Sequence, residues 1–287
     1  MRGCILNVIM ARTNPILIMS GETQSLNIAG RLRRGFCVAL LIPLLAGCAG
    51  APVMPLQAAG GSVLSAAQME RVGRRIWQNE CGGTVAGLTS WNGGENFASL
   101  GIGHFIWYPT GQRGPFEESF PPLMAFFQQR GVAVPGWATG ACPWGTKAAF
   151  EAEKNGPRLT EMRTLLARTT GLQTEFIVQR LGRAAAGMGG RAKAAYDALS
   201  ATPEGMFCLI DYVIFKGEGT NPKERYNGQG WGLMQVLEDM QGGTPAHFAE
   251  AAKRVLSRRV ANSPPARGEQ RWLAGWHNRC DGYKAKL

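Results

Sequence analysis

Glu80 closes a stretch in which Met69, Val72, Ile76 and Trp77 recur at helical spacing, and Gly82-Gly83 follow it directly. The residues after it, 85–107, alternate strand-like runs around Asn92-Gly93-Gly94 and read as a small antiparallel sheet entered through a hairpin. A carboxylic acid at a helix end, facing a hairpin, suits general-acid cleavage of a glycosidic bond. Apolar walls, here expected from Trp91, Phe105 or Trp107, would keep such an acid protonated near neutrality. The hairpin would carry the group that handles water or the developing oxocarbenium charge. Glu95 is the only carboxylate between Glu80 and His104.

A second glutamate has a similar setting. Lys216-Gly217-Glu218-Gly219 follows the apolar run Met206 to Phe215, and Gly230-Trp231-Gly232-Leu233-Met234-Gln235-Val236 comes soon after.

The elements that must position these groups can be read around them. Ser65-x-x-Gln68 is a capping box that starts the helix ending at Glu80. Thr202-Pro203-Glu204 has the cap and first-turn proline of another helix start. From about residue 116 onward the pattern is helical, with breaks at Gly131, Gly136, Gly171, Gly189-Gly190 and Gly228 to Gly230. The expected fold class is α+β: mostly helix, with a small antiparallel sheet after the first helix.

Composition sets the class of partner. The 287 residues are 45% hydrophobic and 18% charged, which excludes a disordered chain and a polytopic membrane protein. Net charge is +11. Residues 1–47 hold five Arg and one Glu, so the remainder carries 26 basic against 19 acidic residues, +7. A basic body draws an anionic polymer or surface. Nucleic acid is not expected, because no recognition-helix or basic-stripe pattern is present. There is no CxxC and no HExxH, and His104, His247 and His277 lie far apart, so neither metal nor cofactor is expected.

The N-terminus reads as an export signal. Arg31, Arg33 and Arg34 precede the apolar run Phe36 to Ala46, shorter than the roughly 20 residues of a membrane span, and small residues follow. Met19 is an alternative start. Cys81, Cys142, Cys208 and Cys280 lie beyond the signal, an even number in an oxidising compartment with three possible pairings. Residues 49–62, rich in Ala, Pro and Gly, read as a flexible tether.

Leu45-Ala46-Gly47-Cys48 resembles the lipobox of bacterial lipoproteins. The resemblance implies cleavage before Cys48, acylation of its thiol and a domain facing the periplasm. Ala49 after the cysteine is similar to lipoproteins sent to the outer membrane. The organisation is then a signal at 1–47, a lipidated Cys48 with tether to residue 64, and a domain over 65–287.

Ser99-Leu100-Gly101-Ile102-Gly103-His104, about twenty residues after a helix-terminal Glu, resembles the pattern of phage-type lysozymes. Downstream, Cys208 to Glu218, Phe248 to Ala252, Arg258-Arg259, Asn262 to Arg267 and Trp272 to Tyr283 are similar to that family's core and closing helices. The resemblance covers most of 65–287 in order, with an insertion between about 108 and 200. It implies a lysozyme-like fold and hydrolysis of the β-1,4 bond between N-acetylmuramic acid and N-acetylglucosamine in peptidoglycan. By the same match Glu80 is the general acid, Ser99 positions the attacking water, and His104 supports the hairpin. The chain departs from the family at the second carboxylate: Thr89 stands where an Asp is expected, and no Asp occurs between Cys48 and Asp197. Glu95 takes that role. Trp91 and Trp107 are expected to meet sugar rings. Lys216-Gly217-Glu218-Gly219 with Gly230 to Val236 resembles instead lytic transglycosylases and goose-type lysozymes, and that resemblance implies Glu218 as the acid, with Glu224, Tyr226 and Gln235 lining its cleft. The missing Asp supports a third reading, a lysozyme-like lipoprotein that only binds glycan.

Overall fold

The computed structural model describes residues 64–114, 116–222 and 224–287, all within one packed unit. The signal, Cys48 and the tether up to residue 63 lie outside the described residues. Leu64, assigned to the tether by the sequence reading, is buried and belongs to the domain.

Helix α1, Ala66–Cys81, begins with the capping box read from the sequence: Gln68 N–H donates to Ser65 Oγ at 3.3 Å, and Ser65 N–H donates to Gln68 Oε1 at 2.7 Å. Its buried face is Met69, Val72, Gly73 and Ile76, and Gly82 at φ 62° ends it in the left-handed region. Three strands follow, β1 (Thr89–Ser90), β2 (Ala98–Leu100) and β3 (Phe105–Trp107), in the antiparallel order β1-β2-β3. The 91–97 connection spans seven residues, so Asn92-Gly93 lies inside a loop rather than forming a two-residue turn. Thr89 pairs with Leu100, and Ser99 lies between Ser90 and Ile106. Alternation along the strands therefore divides the sheet into two faces. Leu100, Phe105 and Trp107 belong to the buried one, while Ser90 and Ile106, opposite Ser99, are half-buried.

The remaining chain is mostly helical: α2 (Phe120–Gln129), α3 (Lys147–Ala152), α4 (Pro157–Ala167), α5 (Thr170–Ala185), α6 (Gly190–Ser200), α7 (Pro203–Lys216), α8 (Leu233–Asp239), α9 (Pro245–Asn262) and α10 (Gln270–Asp281). Helix α1 packs chiefly on α5 and α7, and α9 packs on α10. At the α1–α5 crossing a Cβ on Gly73 would come within 2.9 Å of the Thr170 carbonyl oxygen, so only glycine permits that approach. Glu70 accepts the Thr170 hydroxyl at 2.7 Å and the Gly171 N–H at 2.8 Å, placing an acid at the start of α5 where free amides need one. Burial pushes the Glu70 carboxyl up, but the hydrogen bonds from Thr170, Arg74 and Gly171 prevail and hold it below its usual range.

Helix α7 begins as its sequence predicts, with Thr202 Oγ1 accepting the Gly205 N–H at 3.1 Å and Pro203 in the first turn. Gly228 to Gly230 does not simply break helices. Asn227 (φ 48°) and Gly228 (φ 75°) form the tight turn of a hairpin joining β4 (Arg225–Tyr226) to β5 (Gln229–Gly230). The domain is thus α+β, mostly helical, with a small antiparallel sheet after the first helix.

Candidate active site

Glu80 occupies the last turn of α1, with its side chain 9% exposed. The turn between β2 and β3 closes over it. His104, at φ 48°, brings Nδ1 to 3.9 Å from Glu80 Oε2, and the Cys81 thiol approaches the Gly101 carbonyl at 3.9 Å. Gln173 holds this turn from below. It is fully buried, its Oε1 accepts the Ile102 N–H at 2.9 Å, and its Nε2 donates to Leu166 O at 2.7 Å. Gly101 has φ 73°, and a Cβ there would sit 2.4 Å from Gln173 Oε1. That contact explains the first glycine of Gly101-Ile102-Gly103-His104. Burial pushes the His104 imidazole down, opposed by Glu80 and helped by Arg279, so at neutral pH the ring is uncharged.

The strongest partner of Glu80 comes from α10. Arg279 Nη2 pairs with Glu80 Oε1 and also donates to Asp211 Oδ1 at 2.9 Å, while its Nε donates to Asp211 Oδ2 at 2.9 Å. Asp211, on α7, is fully buried and accepts two more bonds, from Asn79 Nδ2 at 3.1 Å and the Tyr283 hydroxyl at 2.7 Å. Burial pulls the Arg279 guanidinium down, but Asp211 and Glu80 outweigh it and hold the group above its ordinary value. Phe215 lies 4.3 Å below the guanidinium carbon. Two carboxyl groups therefore share one cation, and they share it unequally. Asp211 is satisfied by four donated bonds, whereas among the described residues Glu80 has Arg279 alone, with His104 just beyond hydrogen-bond range. Glu80 is the less committed of the two carboxylates.

This differs from an acid walled by aromatic rings. Trp91 and Trp107 are 4% and 0% exposed. Trp107 packs on Phe120 and Trp144 and donates Nε1–H to Gly140 O at 2.8 Å, and Trp91 packs on Phe150 and donates to Glu95 O at 2.8 Å. Phe105 packs on Phe176. The inserted helices cover this face of the sheet, so Trp91 and Trp107 are core and neither can stack on a sugar.

Glu95 lies in the β1–β2 connection, and His104 in the β2–β3 connection, at opposite ends of β2. Its carboxylate accepts from Asn92 Nδ2 at 3.1 Å. Burial raises its pKa, against the opposing pull of Asn92 and Lys147. Among the described residues Glu80 and Glu95 share no partner. Ser99, 4% exposed, lies between them on β2, with its carbonyl accepting the Ser90 hydroxyl at 3.3 Å.

Glu218 follows the end of α7 in a loop clamped by backbone bonds. Leu233 N–H and Met234 N–H donate to Gly217 O and Glu218 O, each at 3.0 Å. Gln235 spends both ends of its amide inside this loop, accepting from Gly232 N–H at 3.0 Å and donating to Gly219 O at 3.1 Å. Gln235 is thus a loop clamp and not a cleft residue. Tyr226 is likewise engaged, donating to Glu269 at 3.0 Å. The Glu218 side chain makes no hydrogen bond or ion pair among the described residues.

Cys142, Cys208 and Cys280 form no disulfide among the described residues, unlike the pairing an even count suggests. Cys142, Cys208 and Cys280 are buried thiols, and burial pushes Cys142 and Cys280 to about 12. Arg279, Asp211, Asn79, Tyr283 and Gln173 were not expected at the site. Asp211 carried one signal, a lone carboxylate inside the apolar run Met206 to Phe215, which a buried position obliges to find a cation.

Fold and site together define an α+β domain with a helix-terminal glutamate held against a glycine-rich strand turn by a buried Asp-Arg pair. Compared with known proteins, the chain matches no family model, and no curated protein or solved structure shows significant similarity to it.

Proposed function

We propose that this chain is a lysozyme-like muramidase that cleaves the β-1,4 bond between N-acetylmuramic acid and N-acetylglucosamine in peptidoglycan, anchored to the membrane by acylated Cys48 and facing the periplasm. The observation that carries the reading is the meeting of Glu80 with the His104 turn under Arg279. Glu80 gives its proton to the glycosidic oxygen as the bond to the anomeric carbon breaks. A water held near the Ser99 hydroxyl attacks that carbon, and Glu95 accepts the water's proton, so the products are a reducing sugar and a free alcohol. Arg279, retained by Asp211, then faces the Glu80 carboxylate left behind. The basic surface, +7 beyond the signal, favours approach to the anionic wall.

A second reading, a lytic transglycosylase using Glu218, is favoured by the unengaged side chain of that residue in a clamped loop. Digestion of purified peptidoglycan in ¹⁸O-labelled water separates the two. A muramidase places one ¹⁸O at each new reducing end. A transglycosylase closes the sugar on itself and incorporates none, which would overturn the hydrolytic reading. Binding of the polymer without any released fragment would reduce the chain to a glycan-binding lipoprotein.

A further inference from the structure

A cavity of about 310 Å³ opens beside the Glu80 network, lined by Arg75, Asn79, Phe207, Asn278, Arg279 and Gly282. Arg75 and Asn79 lie one turn apart on α1, Asn278 and Arg279 are on α10, and Gly282 follows that helix. The lining holds two guanidiniums and two carboxamides and no carboxylate. Arg75 makes no hydrogen bond or ion pair among the described residues, and its guanidinium lies 5.9 Å from the Phe207 ring. Arg279 commits Nε and Nη2 to Asp211 and Glu80, and its Nη1 donates to nothing among the described residues. The Asn278 carboxamide is likewise unengaged there. Gly282 has φ −61° and ψ −22°, open to any residue, and a Cβ added to it would meet nothing within 4 Å. No backbone need explains that glycine; its missing side chain leaves the cavity room.

Asp211 and Glu80 already compensate Arg279, so the uncompensated charge on the wall is that of Arg75. A planar anion with two oxygens matches a guanidinium fork and an adjacent free N–H donor. We propose that this cavity binds a carboxylate of the peptide that branches from the glycan strand. The assignment rests on the muramidase reading, because those carboxylates are the anions carried by a peptidoglycan strand next to its cleavable bond. Bound there, a carboxylate on Nη1 would share Arg279 with Glu80 and so couple peptide recognition to the acid.

Isothermal titration of the full chain tests this with N-acetylmuramyl-L-alanyl-D-glutamate, its bis-amide and inorganic phosphate. The acid should bind at least tenfold tighter than the bis-amide. Arg75→Gln, which removes the charge, and Gly282→Leu, which fills the space, should each weaken the acid at least tenfold. Arg74→Gln, whose side chain pairs with Glu70 instead, should not. Equal binding of acid and amide, wild-type affinity in Arg75→Gln, or phosphate binding as tightly as the peptide acid would each overturn the proposal. If Gly282→Leu fails to fold, Arg75→Gln decides alone. Titration needs no bond cleavage, so the two readings fail separately. A chain that binds the acid but releases no fragments loses the muramidase and keeps the site, and one that cleaves but ignores the acid loses only the site.

Discussion

Two helices of this domain end in a glutamate-bearing turn, and they treat that glutamate in opposite ways. At the end of α1, Glu80 is gripped through its side chain: Arg279 pairs with it, Asp211 holds Arg279, and Asn79 and Tyr283 hold Asp211. At the end of α7, Glu218 is gripped through its backbone, by Leu233, Met234 and the Gln235 amide bonded around it. The first arrangement fixes where a charge sits. The second fixes a loop and leaves the carboxylate of a half-buried residue without a side-chain partner among the described residues. Chemistry that must deliver a proton to one atom needs the first kind of support.

The comparison can be broken most forcefully at Asp211. Replacing it with Ala leaves Arg279 with a single counter-charge in a buried setting, and should cost about 3–5 kcal/mol in urea unfolding. Glu218→Gln should stay within about 0.5 kcal/mol of wild type, as for a surface substitution. Equal losses in the two variants would erase the distinction.

The α7 end has its own buried amine, one residue before the turn. Among the described residues Lys216 Nζ has no hydrogen-bond partner, and it lies 3.4 Å from the Trp276 ring centroid and 4.0 Å from that of Phe215. Burial, aided by Arg259 and opposed by Glu269, lowers its pKa to about 6. The folded amine is then neutral at pH 8 while the unfolded one is protonated. The unfolded state binds more protons across that range, so stability rises with pH between about 6 and the ordinary lysine value of 10.5. The full effect is up to ~1.4 kcal/mol per pH unit, reduced by the two ring faces, which favour the cation. Lys216→Met should be more stable than wild type at pH 7 by on the order of 1–3 kcal/mol and should lose most of this slope. A slope that survives the substitution would place its origin elsewhere.

The smallest contrast concerns the two glutamines that brace the turns. Gln173→Ala orphans the buried Ile102 N–H and should cost roughly 1–3 kcal/mol, together with activity, because it frees the His104 turn. Gln235→Ala should cost about 1 kcal/mol and leave cleavage by Glu80 intact. Loss of cleavage in Gln235→Ala alone would move the chemistry to the α7 end.

Local chemistry made much of this legible in advance. The Ser65-Gln68 capping box, the Gly82 stop and the Thr202-Pro203 start are short-range devices, and each forms as read. So does the antiparallel sheet after α1. Trp91 and Trp107 misled because an aromatic residue beside a strand reads the same whether it faces a cleft or an inserted helix, and here the helices of residues 120–200 supply the cover. Gln235 misled for a related reason: the resemblance implied a cleft residue, but both ends of its amide are consumed three and sixteen residues away. Arg279 was out of reach. Its partners Glu80 and Asp211 are 199 and 68 residues distant, and nothing local marks one arginine on a helix as the counter-ion of a buried acid.

The central claim is that Glu80, and not Glu218, is the acid. Purified peptidoglycan incubated with wild type, Glu80→Gln and Glu218→Gln, and resolved by mass spectrometry, tests it directly. Reducing-end fragments should fall by about 10²–10⁴-fold in Glu80→Gln and remain in Glu218→Gln. Anhydro-muramyl products that vanish only in Glu218→Gln would contradict the account.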